Sequence, residues 1–167
     1  MNIFVAGTYG VGKTFICDKL SFSLSLPHFS ASQIIRHGSE QKTVDDLKSN
    51  QQRLINGLAS LNNNYPTILL DGHFSILTEV GISVIETSVF KSLSLKGIVL
   101  LVQEPDVIKE RLEMRGGEVF DLHLIESFQE VESSQAEIVS RCLNIPLLKM
   151  RSVESNLVPI ADFINSL

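Results

Sequence analysis

The chain has 167 residues, 44% hydrophobic and 20% charged, with a formal net charge of -5. That balance excludes general affinity for nucleic-acid backbone, which needs clustered Lys and Arg, and no apolar run reaches the roughly 18 residues of a membrane span. The start Met-Asn-Ile-Phe-Val-Ala-Gly lacks a basic segment and a long apolar one, so no signal peptide is expected and the compartment expected is cytoplasmic.

In chain order, residues 3–6 form the first short, nearly continuous apolar run, with similar runs at 67–70, 97–102 and 146–149. Runs of this length without polar alternation suit strands buried on both faces of a parallel sheet. A weaker strand is expected over 28–31, before a short helix.

Helical patterns separate the strands. Phe15, Ile16, Lys19 and Leu20 follow the first run. From Val44, the positions Val44, Leu47, Leu54, Leu58 and Leu61 share one stripe, with Thr43 as its expected N-cap and Asp46 three residues on. The run Asn62-Asn63-Asn64-Tyr65-Pro66 ends that helix. Pro105 opens another at the favoured first position, with Ile108 and Leu112 on its inner face. A long helix follows Asp121, its stripe running through Ile125, Phe128, Val131, Ile138 and Cys142, broken by Gln135. The alternation predicts one α/β domain over 1–167 with a parallel sheet and right-handed crossovers. The two cysteines, Cys17 and Cys142, show no metal-ligand spacing and read as reduced thiols in or near the core.

Gly7-Thr8-Tyr9-Gly10-Val11-Gly12-Lys13-Thr14 matches G-x-x-x-x-G-K-[ST] between a strand and a helix. Glycines let successive N–H groups turn toward phosphate oxygens at the positive end of a helix, next to Phe15. Lys13 is expected to bridge the β- and γ-phosphates of ATP, and Thr14 to offer its hydroxyl oxygen to Mg2+. Asp71, at the carboxyl end of an apolar strand, falls at the mouth of the sheet and is the second expected Mg2+ ligand. Arg111 and Arg115 lie four apart near a helix end, on one face. Two guanidinium groups there suit the charge of a phosphoryl group in transfer.

No N-K-x-D or L-S-G-G-Q motif is present, and the chain is too short for an AAA+ motor with a separate helical lid domain. Four stretches instead resemble nucleoside monophosphate kinases of the adenylate kinase type in a short-lid form. They are the P-loop, the segment from His28 through Ser30, Ser32 and Arg36, the stretch Leu70-Asp71-Gly72-His73-Phe74, and the 105–115 helix with the long helix after it.

The resemblance implies a P-loop three-layer α/β/α fold with a five-stranded parallel sheet and a helical acceptor module over 27–66. It also implies a short lid over 111–121 hinged at Gly116-Gly117. It makes Lys13, Asp71, Arg111 and Arg115 the catalytic set, and Arg36, Ser32, Gln51 and His73 the acceptor-side set. The implied reaction is γ-phosphoryl transfer from ATP to a small acceptor, a nucleoside monophosphate first. Two departures touch the acceptor: Ala31 stands where these enzymes usually carry Thr, and Ser75 where they usually carry Arg. Other small acceptors, and a slow ATPase or assembly factor acting on a protein partner, are the alternatives. A monomer and a homodimer are equally compatible with the sequence.

Overall fold

The computed structural model describes residues 1–37, 47–116, 120–152 and 156–167. Five parallel strands form the main sheet: β1 (Asn2–Ala6), β2 (His28–Ser30), β3 (Leu69–Gly72), β6 (Leu95–Val102) and β7 (Leu147–Arg151), in the order β2-β3-β1-β6-β7. All five expected strands are present. β3 lies two residues later than the apolar run suggested, which brings Asp71 inside the strand, paired with Val5 of β1.

β1 is buried along its whole length. Its alternation sends Phe4 and Ala6 to one face, and Ile3 and Val5 to the other. On the first face they meet Leu54 and Leu58 of α3 (Leu47–Asn62), Phe90 of α4 (Thr87–Lys91), and Ala136 and Val139 of α6 (Leu122–Leu143). On the second they meet Ile16 and Leu20 of α1 (Lys13–Leu24), Ile108 of α5 (Pro105–Met114), and Ile160 and Ile164 of α7 (Val158–Asn165). Helices on both faces give the three-layer α/β/α arrangement that a sheet buried on both sides requires.

The chain passes from β1 through α1 outward to β2, and from β3 back across β1 to β6, so the connections from the adjacent strands β1 and β3 run in opposite directions. This is the topological switch point at which open α/β sheets bind ligands. The chain leaves β2 directly into α2 (Ala31–His37) and, after 38–46, continues into α3. The expected cap at Thr43 and the stripe position Val44 lie outside the described residues, as does Gly117 of the expected hinge.

Two features depart from the sequence pattern. β4 (Ser75–Thr78) and β5 (Gly81–Val84) form an antiparallel hairpin after β3. In α6 the inward stripe is Ile125, Phe128, Glu132, Gln135, Ala136 and Val139, whereas Ile138 and Cys142 face solvent. Two polar residues take inward positions because they bond the backbone leading into and out of the hairpin. Glu132 Oε1 accepts from Phe74 N at 2.8 Å and Ser75 N at 2.6 Å, and Gln135 Nε2 donates to the Ile85 carbonyl at 2.9 Å.

Candidate active site

The loop after β1 turns on three glycines with positive φ: Gly7 at 145°, Gly10 at 75° and Gly12 at 102°. A side chain on Gly7 would meet the Leu101 carbonyl oxygen at 2.4 Å, so the close approach of loop to β6 also requires glycine there. Gly12 caps α1, so the unpaired N–H groups of the first helical turn face the loop.

Lys13 is buried, and its Nζ donates to the carbonyls of Gly7 at 2.7 Å and Thr8 at 2.9 Å. Burial lowers its pKa to about 8, against the opposing pull of Glu132 and Asp71. Thr14 Oγ1 donates to Asp71 Oδ2 at 3.5 Å. These two side chains present hard oxygen donors side by side, the set that suits Mg2+. His28 Nε2 lies 2.7 Å from Asp71 Oδ2, and its Nδ1 lies 2.8 Å from Asp18 Oδ1. Burial opposes charge on this imidazole, but the hydrogen bonds to Asp71 and Asp18 outweigh it and hold the pKa above the ordinary value.

A cavity of about 410 Å³ opens over the sheet mouth. Gly10, Gly12, Lys13, Thr14, Phe15 and Tyr9 border it at the loop, and Asp71 and His73 at the end of β3. Ser30, Ser32, Asn50 and Gln51 border it on the 27–66 side with the apolar Ala31, Ile35 and Leu54, and Ile76, Ile85, Val89, Phe90 and Leu93 form a further apolar wall. The hairpin and α4, absent from the sequence expectations, build that wall.

The expected site residues thus divide. Lys13, Thr14, Asp71, Ser32, Gln51, His73 and Arg115 all reach the one cavity. Arg111 faces the loop instead, its Nη1 donating to the Val11 carbonyl at 3.0 Å. Ser152 Oγ donates to that same carbonyl at 2.7 Å. Arg36 is exposed and folds back on its own helix, with Nε donating to the Ser32 carbonyl at 3.1 Å. Ser75 is fully buried and donates its hydroxyl to Glu132 Oε1 at 2.7 Å, so it takes no part in the cavity wall. His73 lies 4.3 Å from the Tyr9 ring, centroid to centroid, and burial together with Lys13 keeps its pKa well below the ordinary range. Its Nδ1 is buried without a partner among the described residues.

A family model described as an AAA domain matches residues 6–129. The chain belongs to the AAA domain family. The matched span runs from the end of β1 into α6. Beyond it this AAA domain adds β7, which completes the sheet edge, and α7, which covers the sheet's second face.

A Methanocaldococcus jannaschii protein named provisionally as an adenylate kinase is 28% identical over 147 residues, covering 86% of this chain and 70% of that one. Among solved structures, the shikimate kinase of Acinetobacter baumannii in complex with shikimate aligns with a TM-score of 0.64 at 13% identity. That alignment covers 99% of this chain and 90% of the other. A sugar kinase from Janibacter sp. HTCC2649 aligns at 0.60 and 14% identity, covering 99% and 94%. This AAA domain therefore has the fold of P-loop kinases, as its resemblance to the adenylate kinase type implied.

Proposed function

We propose that this chain transfers the γ-phosphoryl group of ATP to a small acceptor, and that the acceptor is a nucleoside monophosphate. The observation that carries this is the single cavity joining Lys13 and Thr14 of the loop to Ser32 and Gln51 of the acceptor side. Donor and acceptor held in one enclosure need only be placed in line, and placement with charge stabilisation is most of what phosphoryl transfer requires.

The loop N–H groups and Lys13 hold the phosphates of ATP. To do so, Lys13 exchanges its contacts with the Gly7 and Thr8 carbonyls for phosphate oxygens. Thr14 and Asp71 fit Mg2+, which when bound supplies charge neutralisation at the phosphates. Arg115, at the end of α5 and on the cavity edge, stabilises charge on the group in transfer. Arg111 braces the loop through Val11 and acts on ATP placement rather than on the transferring group.

The wall chemistry supports a base-bearing acceptor. A polyol exposes hydroxyls on most sides, each needing a partner when buried. Here the lining is largely aliphatic and aromatic, from Ile76, Ile85, Val89, Phe90 and Leu93 together with Ile35 and Leu54 of the 27–66 side, and Asn50 and Gln51 add carboxamides to it. A nucleobase sets its faces on apolar walls and its edge on amides. A protein-directed switch would leave an exposed apolar surface on 27–66. Among the described residues, the only large exposed hydrophobic there is Tyr65.

The test is transfer from labelled ATP with Mg2+ to the common nucleoside monophosphates, with shikimate, gluconate and a water blank beside them. Formation of one nucleoside diphosphate above the blank supports the reading. Transfer only to a polyol, or only slow free phosphate, overturns it.

A further inference from the structure

Cys17 on α1, His28 at the start of β2 and Asp71 in β3 each offer one donor atom, and the three atoms lie within 4.8 Å of one another. No other group of this kind is found among the described residues. The local order arises from packing: β2 pairs with β3 with His28 opposite Leu69, and the buried Cys17 projects from α1 onto the same pair of strands. The donors are a sulfur, an imidazole nitrogen and a carboxylate oxygen. Magnesium takes oxygen donors and suits the Thr14–Asp71 pair. The sulfur–nitrogen–oxygen set suits zinc-type cations, and both arrangements draw on Asp71 Oδ2, which lies 3.5 Å from Thr14 Oγ1 and 2.7 Å from His28 Nε2.

A second observation supports the same reading. Asp18 Oδ1 holds His28 Nδ1 at 2.8 Å, leaving Nε2 directed at Asp71. A carboxylate on the remote ring nitrogen is the arrangement that fixes the ring of a metal-bound histidine and strengthens it as a donor. Tetrahedral zinc, with bonds of about 2.0–2.3 Å, sets its ligands roughly 3.3–3.7 Å apart. The trio, with Nε2 and Oδ2 already 2.7 Å apart, needs shifts of about 1 Å to reach that spacing.

We propose that Cys17, His28 and Asp71 bind a soft divalent cation such as Zn2+, with Asp18 orienting His28. The cation replaces the protons on Sγ and Nε2, which leave to solvent. Asp71 also borders the cavity, so the ion enters from there and a water completes the four-coordinate shell. On the reading of Asp71 as a Mg2+ ligand given under Proposed function, occupancy by zinc withdraws that carboxylate and slows phosphoryl transfer.

The test uses the full chain without nucleotide or Mg2+, titrated with Co2+ as a spectroscopic probe. Expected are one Co2+ per chain, a sulfur-to-cobalt charge-transfer band, and its loss when Zn2+ is added. The band disappears in Cys17→Ser and persists in Cys142→Ser, whose thiol is exposed. Asp18 is 68% exposed, so Asp18→Asn folds normally and weakens Co2+ binding about tenfold by loosening His28. That variant decides the matter if Cys17→Ser does not fold. Absence of the band, a band that follows Cys142, or unchanged affinity in Asp18→Asn overturns the site. Cobalt binding without any phosphoryl transfer leaves the site standing and removes the kinase reading. Transfer with Mg2+ and no cobalt band does the reverse.

Discussion

Ser75 Oγ donates to Glu132 Oε1 at 2.7 Å, with both side chains almost wholly removed from solvent. The same carboxylate oxygen accepts from the Phe74 and Ser75 backbone N–H groups, so one residue of α6 fixes the chain where it leaves β3 and enters the hairpin. That junction lies between Asp71 and the apolar cavity wall. Glu132 therefore ties the Asp71 end of the cavity to its apolar wall.

Glu132→Ala removes the acceptor of three buried donors. Leaving buried donors unpaired costs on the order of 1–3 kcal/mol each, partly relieved by relaxation, so a loss of about 3 kcal/mol is expected. Glu132→Gln keeps an oxygen for these donors and is expected to retain most of the stability. Urea unfolding midpoints at constant slope check both. A loss in Gln as large as that in Ala would show that the carboxylate charge, rather than its acceptor geometry, holds the junction.

How much of this was legible in sequence depends on how local each signal is. The loop from Gly7 to Thr14 carries its meaning in eight consecutive residues, and the strand before it is a continuous apolar run. Asp71 was legible because a strand end is a fixed place in an α/β sheet. Glu132 and Gln135 were not, because a polar residue inside a helical stripe reads as an interruption until its distant backbone partner is known. The same applies to Cys17, His28 and Asp71, which α1 packing and β2–β3 pairing bring together from separate segments, His28 and Asp71 being 43 positions apart. The hairpin gave little warning, since its turn at Glu79 and Val80 lacks the Asn-Gly or Asp-Gly signature.

The pKa of Lys13, lowered by burial to about 8, gives nucleotide binding a pH signature. Phosphate contact requires charged Lys13, so ATP affinity is expected to fall as pH rises above about 8, approaching tenfold per unit, and binding there takes up a proton. The linkage for folding has the opposite sign. Between about 8 and 10.5 the unfolded chain holds more protons at this site, so the nucleotide-free protein gains stability from Lys13 as pH rises through that window. Calorimetry in two buffers of different ionisation heat measures the uptake. Uptake that survives in Lys13→Met would assign the proton to another group.

Arg111 and Arg115 share a helix end but diverge in contact, and their variants are expected to diverge likewise. Arg115→Ala is expected to lower kcat about 10²–10³-fold with ATP affinity nearly unchanged, as a contact made mainly in the transition state. Arg111→Ala frees the Val11 carbonyl from one of its two side-chain donors and is expected to weaken ATP binding more than it lowers kcat. Parallel binding and steady-state measurements separate the two. Equal losses in both quantities for Arg115→Ala would make it a ground-state contact.

The apolar wall gives a prediction confined to the acceptor. Val89 is 6% exposed and borders the cavity from α4. Val89→Ala removes two methyl groups from the surface on which, under the proposed function, the base packs, and a loss of that size is worth on the order of 1–3 kcal/mol of discrimination. The expected result is a KM for the nucleoside monophosphate raised about tenfold or more, with the KM for ATP unchanged. A polar swap of similar size, Val89→Thr, is expected to raise the acceptor KM as well, because its hydroxyl enters the wall without a partner. If both variants shift ATP and acceptor together, α4 supports the whole cavity and does not select the acceptor. If neither shifts the acceptor, the base lies elsewhere, against Asn50 and Gln51 alone.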